Sequence, residues 1–275
     1  MNAVSRVRVE GTSISFSIVG SGSPVMLIAG TGYPGCTWHP EVVDELATDH
    51  TVITFDHRGT GASPGTAGDY TTELFAADAI AVLEEVSSEE AVVIGHSMGG
   101  RVAQWVAHDR PDLLAGLVLA ASGPGSPNQT DGIPIRTVLR LMDLGFERFI
   151  RDLQRRTFFT PEFLERDPTR AVWLGDAFWN GRPSLEDYLK HVVARQRHDS
   201  GAILSEIVPP TLVIVGDRDT HRGDTGSHVD QSRSLVERMP GATLSLLPGV
   251  THGFFWEDPE PAVSVIRGWM QRLVH

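Results

Sequence analysis

Six consecutive residues, Gly95-His96-Ser97-Met98-Gly99-Gly100, set a hydroxyl between glycines. Gly-x-Ser-x-Gly carries chemistry where it closes a buried strand and opens a helix. The tight turn lifts the serine clear of the sheet, small neighbours admit nearby backbone, and the positive end of the helix faces the site. Here the apolar run 91–94 precedes the motif, and Val102, Trp105 and Val106 follow it in a helical pattern. A serine hydroxyl is a weak nucleophile at its own pKa, so it needs a base, and the base needs an acid to orient it. Two carboxylates follow the apolar run 212–215, in Gly216-Asp217-Arg218-Asp219. One of eleven histidines, His252, lies on a loop among small residues after the run 244–247, in Pro248-Gly249-Val250-Thr251-His252-Gly253. Serine, acid and histidine in that order suit acyl transfer through a serine ester: His252 takes the Ser97 proton, and the acid holds the imidazole tautomer. This chemistry needs no cofactor.

These groups meet only if the chain brings several loops to one edge. Short, β-branched runs closed by Gly, Pro or Asp recur at 25–29, 52–55, 91–94, 117–120, 212–215 and 244–247, as strands buried on both faces of a parallel sheet do. Two earlier runs, 7–9 and 14–19, read as a two-stranded antiparallel start. Phe75, Ala79, Val82 and Val86, and later Val263, Ile266, Met270 and Leu273, recur at helical spacing. The alternation predicts an α/β fold: a mostly parallel eight-stranded sheet with helices on both faces. Residues 125–204 break it, with helical patterns and no convincing strand after a Gly/Pro/Ser cluster. The expected division is therefore a core at 1–124, a helical cap at 125–204 inserted after the sixth strand, and the rest of the core at 205–275. The cap holds Phe158, Phe159, Trp173, Phe178 and Trp179. They suit a small core of its own; Trp173, Phe178 and Trp179 are also the candidates for lining a substrate pocket beneath it.

Composition narrows the partners. The 275 residues carry 23 Lys+Arg against 35 Asp+Glu, and no basic stripe is interleaved with aromatics, so nucleic acid is not expected as a partner. A single cysteine, Cys36, allows neither an intrachain disulfide nor a thiolate zinc cage. Met1 to Arg6 lead into Val7 and Val9 without a long apolar core, and no later run approaches a bilayer span. A cytoplasmic protein without membrane contact is expected.

On the elbow at 95–100, the turn Asp56-His57-Arg58-Gly59-Thr60-Gly61-Ala62-Ser63, the acid loop and His252 with Glu257-Asp258-Pro259-Glu260, the chain resembles the α/β-hydrolase superfamily over essentially its full length. Through Gly35-Cys36-Thr37-Trp38-His39-Pro40 it is similar to small capped hydrolases labelled non-haem bromoperoxidases, and more loosely to enol-lactonases and carboxylesterases. The resemblance implies Asp219 rather than Asp217 as the acid, and an oxyanion hole from the backbone N–H groups of Thr31 and Met98. Members usually carry His-Gly after the third strand, where this chain has Ala29-Gly30-Thr31-Gly32; a slip of one residue would make Gly32 the donor. The acid loop is also longer and more polar than usual. Its His221, Asp224 and His228 form a two-histidine, one-carboxylate set, but their spacing shares no helix face, so no metal is expected. His57 and His96 are expected to be structural, and Cys36 a small apolar filler.

The expected function is hydrolysis of a carboxylic ester or lactone of a small to mid-sized, partly apolar molecule. The same triad could instead serve perhydrolysis, with haloperoxidase-like activity, or cleavage of a carbon–carbon bond beside a ketone. A protein that captures a ligand with little turnover is the alternative of another class.

Overall fold

The computed structural model describes residues 4–126, 132–220 and 226–273. Eight strands form one sheet: β1 (Ser5–Val9), β2 (Thr12–Gly20), β3 (Ser23–Ile28), β4 (His50–Phe55), β5 (Ala91–His96), β6 (Leu114–Ala120), β7 (Thr211–Gly216) and β8 (Thr243–Leu247). Their order is β1-β2-β4-β3-β5-β6-β7-β8. β1 and β2 run antiparallel to each other, β2 runs antiparallel to β4, and every other pairing is parallel.

Strand periodicity separates two cores. Val25, Leu27, Ile94, Val118 and Ile214 face one side, with α1 (Pro40–Leu46) and a C-terminal helix over them. Met26, Ile28, Val93, Leu117 and Val213 face the other, under α2 (Thr72–Val86) and α3 (Met98–Asp109). These side chains are buried on both faces, which is why the runs read as continuously apolar rather than alternating.

Between β6 and β7 the described chain passes through α4 (Ile135–Leu144), α5 (Phe146–Thr157), α6 (Pro161–Arg166), α7 (Thr169–Asn180) and α8 (Leu185–Arg197), and contains no named strand. The chain then supplies α9 (His228–Arg238), α10 (Phe254–Glu257) and α11 (Pro259–Met270), the helix that joins α1 on the first face. No helix among the described residues is long and apolar enough to cross a membrane.

The order of strands fixes where a site can form. β3 lies between β4 and β5, so the connections leaving β3 and β5 diverge to opposite sides and open a crevice at their carboxyl ends. Residues 29–33 follow β3 there, and Ser97 follows β5.

Candidate active site

Ser97 stands between β5 and α3 with φ 57° and ψ −117°, a conformation that costs a residue with a side chain energy of order 1–3 kcal/mol. Two glycines make this turn possible. A Cβ on Gly95 would come within 2.3 Å of the Gly99 carbonyl oxygen, and one on Gly99 within 2.1 Å of the Ile28 carbonyl oxygen. The strained serine is held through its backbone: its N–H donates to Ala120 O at 2.8 Å, and its carbonyl accepts from Ser122 Oγ at 2.8 Å. Its Oγ makes no hydrogen bond among the described residues, so it is left for an incoming group.

Beside the elbow, β3 ends at Ala29-Gly30-Thr31-Gly32. A Cβ on Gly30 would sit 3.4 Å from Ser97 Cβ, so the two loops touch. The Gly32 N–H is engaged elsewhere: it donates to Nδ1 of buried His191, on α8, at 3.3 Å. Because an N–H can only donate, His191 Nδ1 is the acceptor and Nε2 carries the proton, which goes to Arg58 O at 3.0 Å. Met98 is the first residue of α3, where backbone N–H groups have no acceptor within the helix.

The two carboxylates after β7 are placed differently. Asp219 is buried, and its Oδ2 accepts from His252 Nδ1 at 2.7 Å. Asp217 is exposed and instead accepts the Gly249 N–H at 2.8 Å, bracing the turn after β8. With Nδ1 protonated towards the carboxylate, neutral His252 keeps Nε2 as its basic nitrogen. His96 ties this loop to the elbow: its Nε2–H donates to the His252 carbonyl at 2.8 Å, and the two rings lie 4.7 Å apart.

A third imidazole joins the pair. His228, the first residue of α9, donates Nδ1–H to Asp219 Oδ1 at 3.0 Å, and its ring centroid lies 4.3 Å from that of His252. Burial alone would raise the Asp219 carboxyl, but the charge of His252 and the hydrogen bonds from His228 and His252 outweigh it and hold the group below the ordinary carboxylate range. Asp219, His228 and His252 offer ligand atoms within 4.8 Å of one another. Here both Nδ1–H groups are spent on the carboxylate, an arrangement that orients imidazoles. His221 and Asp224 lie outside the described residues.

The helical segment between β6 and β7 reaches this group through Phe158. Phe158 packs against His252 at 5.4 Å and stacks on Tyr33 at 5.5 Å. Phe178 meets Tyr33 edge-on, ring centroids 5.1 Å apart. Trp173 packs on His39, and Trp179 lies beneath the Arg182 guanidinium and against Phe146. His57 is wholly buried and bonded to Ala29 O, as a structural residue would be. Cys36 departs from expectation: it is exposed at the middle of a single turn, residues 35–37, its Sγ 3.7 Å from Ala177 O of α7. His228, Phe158 and His191 were not singled out for these contacts from sequence; only the polarity of the loop before α9 hinted at the first.

Three comparisons bear on this architecture. The model of the alpha/beta hydrolase family matches residues 25–265. The protein from Mycobacterium tuberculosis that carries the name non-heme bromoperoxidase BpoC is 40% identical over 261 residues, covering 90% of this chain and 94% of that protein. A protein of Pseudomonas syringae named as carbamate hydrolase RutD is 29% identical over 249 residues, covering 90% and 93%. Among solved structures, the esterase RhEst1 from Rhodococcus superposes with a TM-score of 0.81 at 25% identity, covering 98% of this chain and 99% of that one. A family model spanning the sheet from β3 to α11 and a relative at 40% identity leave one conclusion about descent: this chain belongs to the alpha/beta hydrolase family.

Proposed function

We propose that the protein is a serine hydrolase that cleaves a carboxylic ester or lactone through an acyl-enzyme, with Ser97 as nucleophile, His252 as base and Asp219 as the acid that orients it. The observation that carries this reading is the buried 2.7 Å bond from His252 Nδ1 to Asp219 Oδ2, beside an elbow serine to which His96 links the same loop. It leaves His252 with the tautomer a general base requires.

Ser97 Oγ attacks the substrate carbonyl as its proton passes to His252 Nε2. Asp219 stabilises the imidazolium that forms, and the oxyanion is met by the N–H groups of Thr31 and Met98. The engagement of the Gly32 N–H by His191 favours Thr31 over Gly32 as the first donor. The imidazolium then gives its proton to the leaving oxygen, water attacks the Ser97 ester with His252 again as base, and the acid product departs. Hydrogen bonds to the nucleophile commonly tighten only when substrate is bound, which suits the free Ser97 Oγ.

The cap, taken as 125–204 between core segments 1–124 and 205–275, selects the substrate. Phe158 brings an apolar ring against His252 and Tyr33, with the fully buried Phe178 supporting Tyr33 from within; the half-buried Trp173 and Trp179 are the aromatics left to line the path further out. A partly apolar acyl group of moderate size fits such a wall.

The test is the intact mass after exposure to a fluorophosphonate, for the wild type and Ser97→Ala, followed by a panel of acyl esters, lactones and carbamates. A single adduct that disappears in the variant is the expected result. A wild type that takes no adduct and turns over nothing in the panel would overturn the reading in favour of a ligand-binding protein.

A second outcome of the same acyl-enzyme is favoured by the name of the relative at 40% identity. Hydrogen peroxide in place of water would release a peracid, which would oxidise halide in solution. Peracid formation from an ester and peroxide, lost in Ser97→Ala, is the check.

A further inference from the structure

Asp219 is an acid with two histidines. Its Oδ2 receives His252 Nδ1–H at 2.7 Å and its Oδ1 receives His228 Nδ1–H at 3.0 Å. A buried carboxylate has two oxygens to satisfy, and one left without a donor lets the group rotate and concentrates its charge on the other. His228 is placed for this task by local structure. Ser227 and Asp230 form a reciprocal capping box that fixes the first turn of α9: Ser227 Oγ accepts the Asp230 N–H at 3.1 Å, and Asp230 Oδ2 accepts from Ser227 Oγ at 2.8 Å and its N–H at 3.3 Å. The imidazole at the following position projects onto Asp219.

We infer that His228 is a positioning residue of the catalytic apparatus: by donating to Asp219 Oδ1 it locks the carboxylate rotamer, shares its charge, and thereby lowers the pH at which His252 becomes an effective base. The inference rests on the serine-hydrolase reading above. It also assigns His228 a protonation state. To donate from Nδ1 it needs only its neutral tautomer, and burial together with the charge of His252 pushes its pKa down, the bond to Asp219 opposing this. The groups facing it are Asp219 from the loop after β7, His252 from the loop after β8 and Arg101 from α3, with His96 of β5 behind His252 and Asp230 on its own helix. Arg101 is directed to Arg195 O and Gln231 Oε1, not to Asp219.

The sign of the effect follows from the charge on Oδ2. Without the His228 donor, more negative charge rests beside His252 and stabilises its imidazolium, so the base form appears only at higher pH. The experiment follows the rate of Ser97 labelling by a fluorophosphonate from pH 4.5 to 9, and p-nitrophenyl butyrate hydrolysis alongside, for wild type, His228→Phe and His228→Asn. Phenylalanine keeps a ring and removes the donor; the asparagine amide places a nitrogen near the position of Nδ1 and cannot titrate. For His228→Phe the acid limb should move up by about half a pH unit or more and the plateau rate fall about tenfold, the effect of losing one charge-assisted hydrogen bond, with KM changing far less than kcat. His228→Asn should return both the midpoint and most of the rate. A His228→Phe profile that overlays the wild type would overturn the inference, as would an asparagine variant as impaired as the phenylalanine one. A wild type that is not labelled at all would instead sink the serine mechanism on which the inference stands.

Discussion

His96 Nε2 lies 2.8 Å from the carbonyl oxygen of His252, and this bond joins the elbow of β5 to the loop after β8. The side chain that precedes Ser97 thus supports the backbone of His252, while its ring also packs near Phe255 and Trp256 of α10. Replacing His96 by Phe keeps the aromatic packing and leaves the His252 carbonyl buried without its donor. That should cost about 1–3 kcal/mol, spent partly as stability and partly as misplacement of His252. Fluorophosphonate labelling should slow roughly tenfold; labelling at the wild-type rate would mean the loop is held by the Asp219 side alone.

Asp219→Asn and Asp217→Asn separate the two carboxylates by role. An asparagine at 219 keeps the shape but no longer holds the imidazole tautomer or its charge, so turnover should fall about 10⁴-fold. At 217 the side chain braces the Gly249 N–H, and asparagine retains an acceptor oxygen. Activity there should stay within about threefold, with Tm lower by no more than a few degrees, as for weakening one exposed hydrogen bond. Steady-state rates and thermal melts of the two variants decide it; a reversed order would move the acid to Asp217.

What was legible in the sequence and what was not divides along the range of the interactions. The eight strands and the strand-elbow-helix at 91–109 were readable because apolar periodicity and the demand for glycine at Gly95 and Gly99 are local. The carboxylate pair Asp217 and Asp219 and the candidate His252 were readable from their order and from their places after β7 and β8, where parallel-sheet topology collects loops, while the preference for Asp219 came from the family resemblance alone. His228 was not, because its bond to Asp219 joins residues nine positions apart and rests on a capping box that leaves no periodic signal. His191 is farther still, 159 positions from the Gly32 whose N–H it accepts, and its helix belongs to the inserted segment. Phe158 could be recognised as an aromatic of the helical segment between β6 and β7, but which aromatic edge reaches His252 is set by how α4 to α8 pack.

Gly99→Ala tests the packing that makes the elbow possible. A methyl there would stand 2.1 Å from Ile28 O and 2.7 Å from Ala29 O, backbone atoms of β3 and its exit that cannot step aside without shifting the loop at 29–32. Overpacking of this kind typically costs about 1–3 kcal/mol or more. The variant should melt several degrees lower, or accumulate insoluble, and any folded fraction should label slowly because both the elbow and the loop at Thr31 have moved. A soluble variant with wild-type Tm and labelling rate would contradict the close approach of α3 to β3.

Buried imidazoles give the protein an acid limit distinct from catalysis. Burial pushes the His191 pKa down to about 4, against the upward pull of its bond to Arg58 O. His57 is pushed down to about 3 by burial and by His191 and Arg58 nearby. The unfolded chain takes up these protons near pH ~6.5, whereas the folded chain refuses them until much lower. The unfolded state therefore binds more protons in this window, and stability is full above pH ~6.5 and lost progressively as pH falls towards 4. For His191 alone the loss by pH 4 is on the order of 3 kcal/mol. His191→Gln can still accept from the Gly32 N–H and donate to Arg58 O, but it cannot titrate. Denaturant melts from pH 7 to 4 should show a shallower decline for His191→Gln than for wild type, by about one proton's contribution to the slope. Equal slopes would show that His191 does not stay neutral in the folded protein.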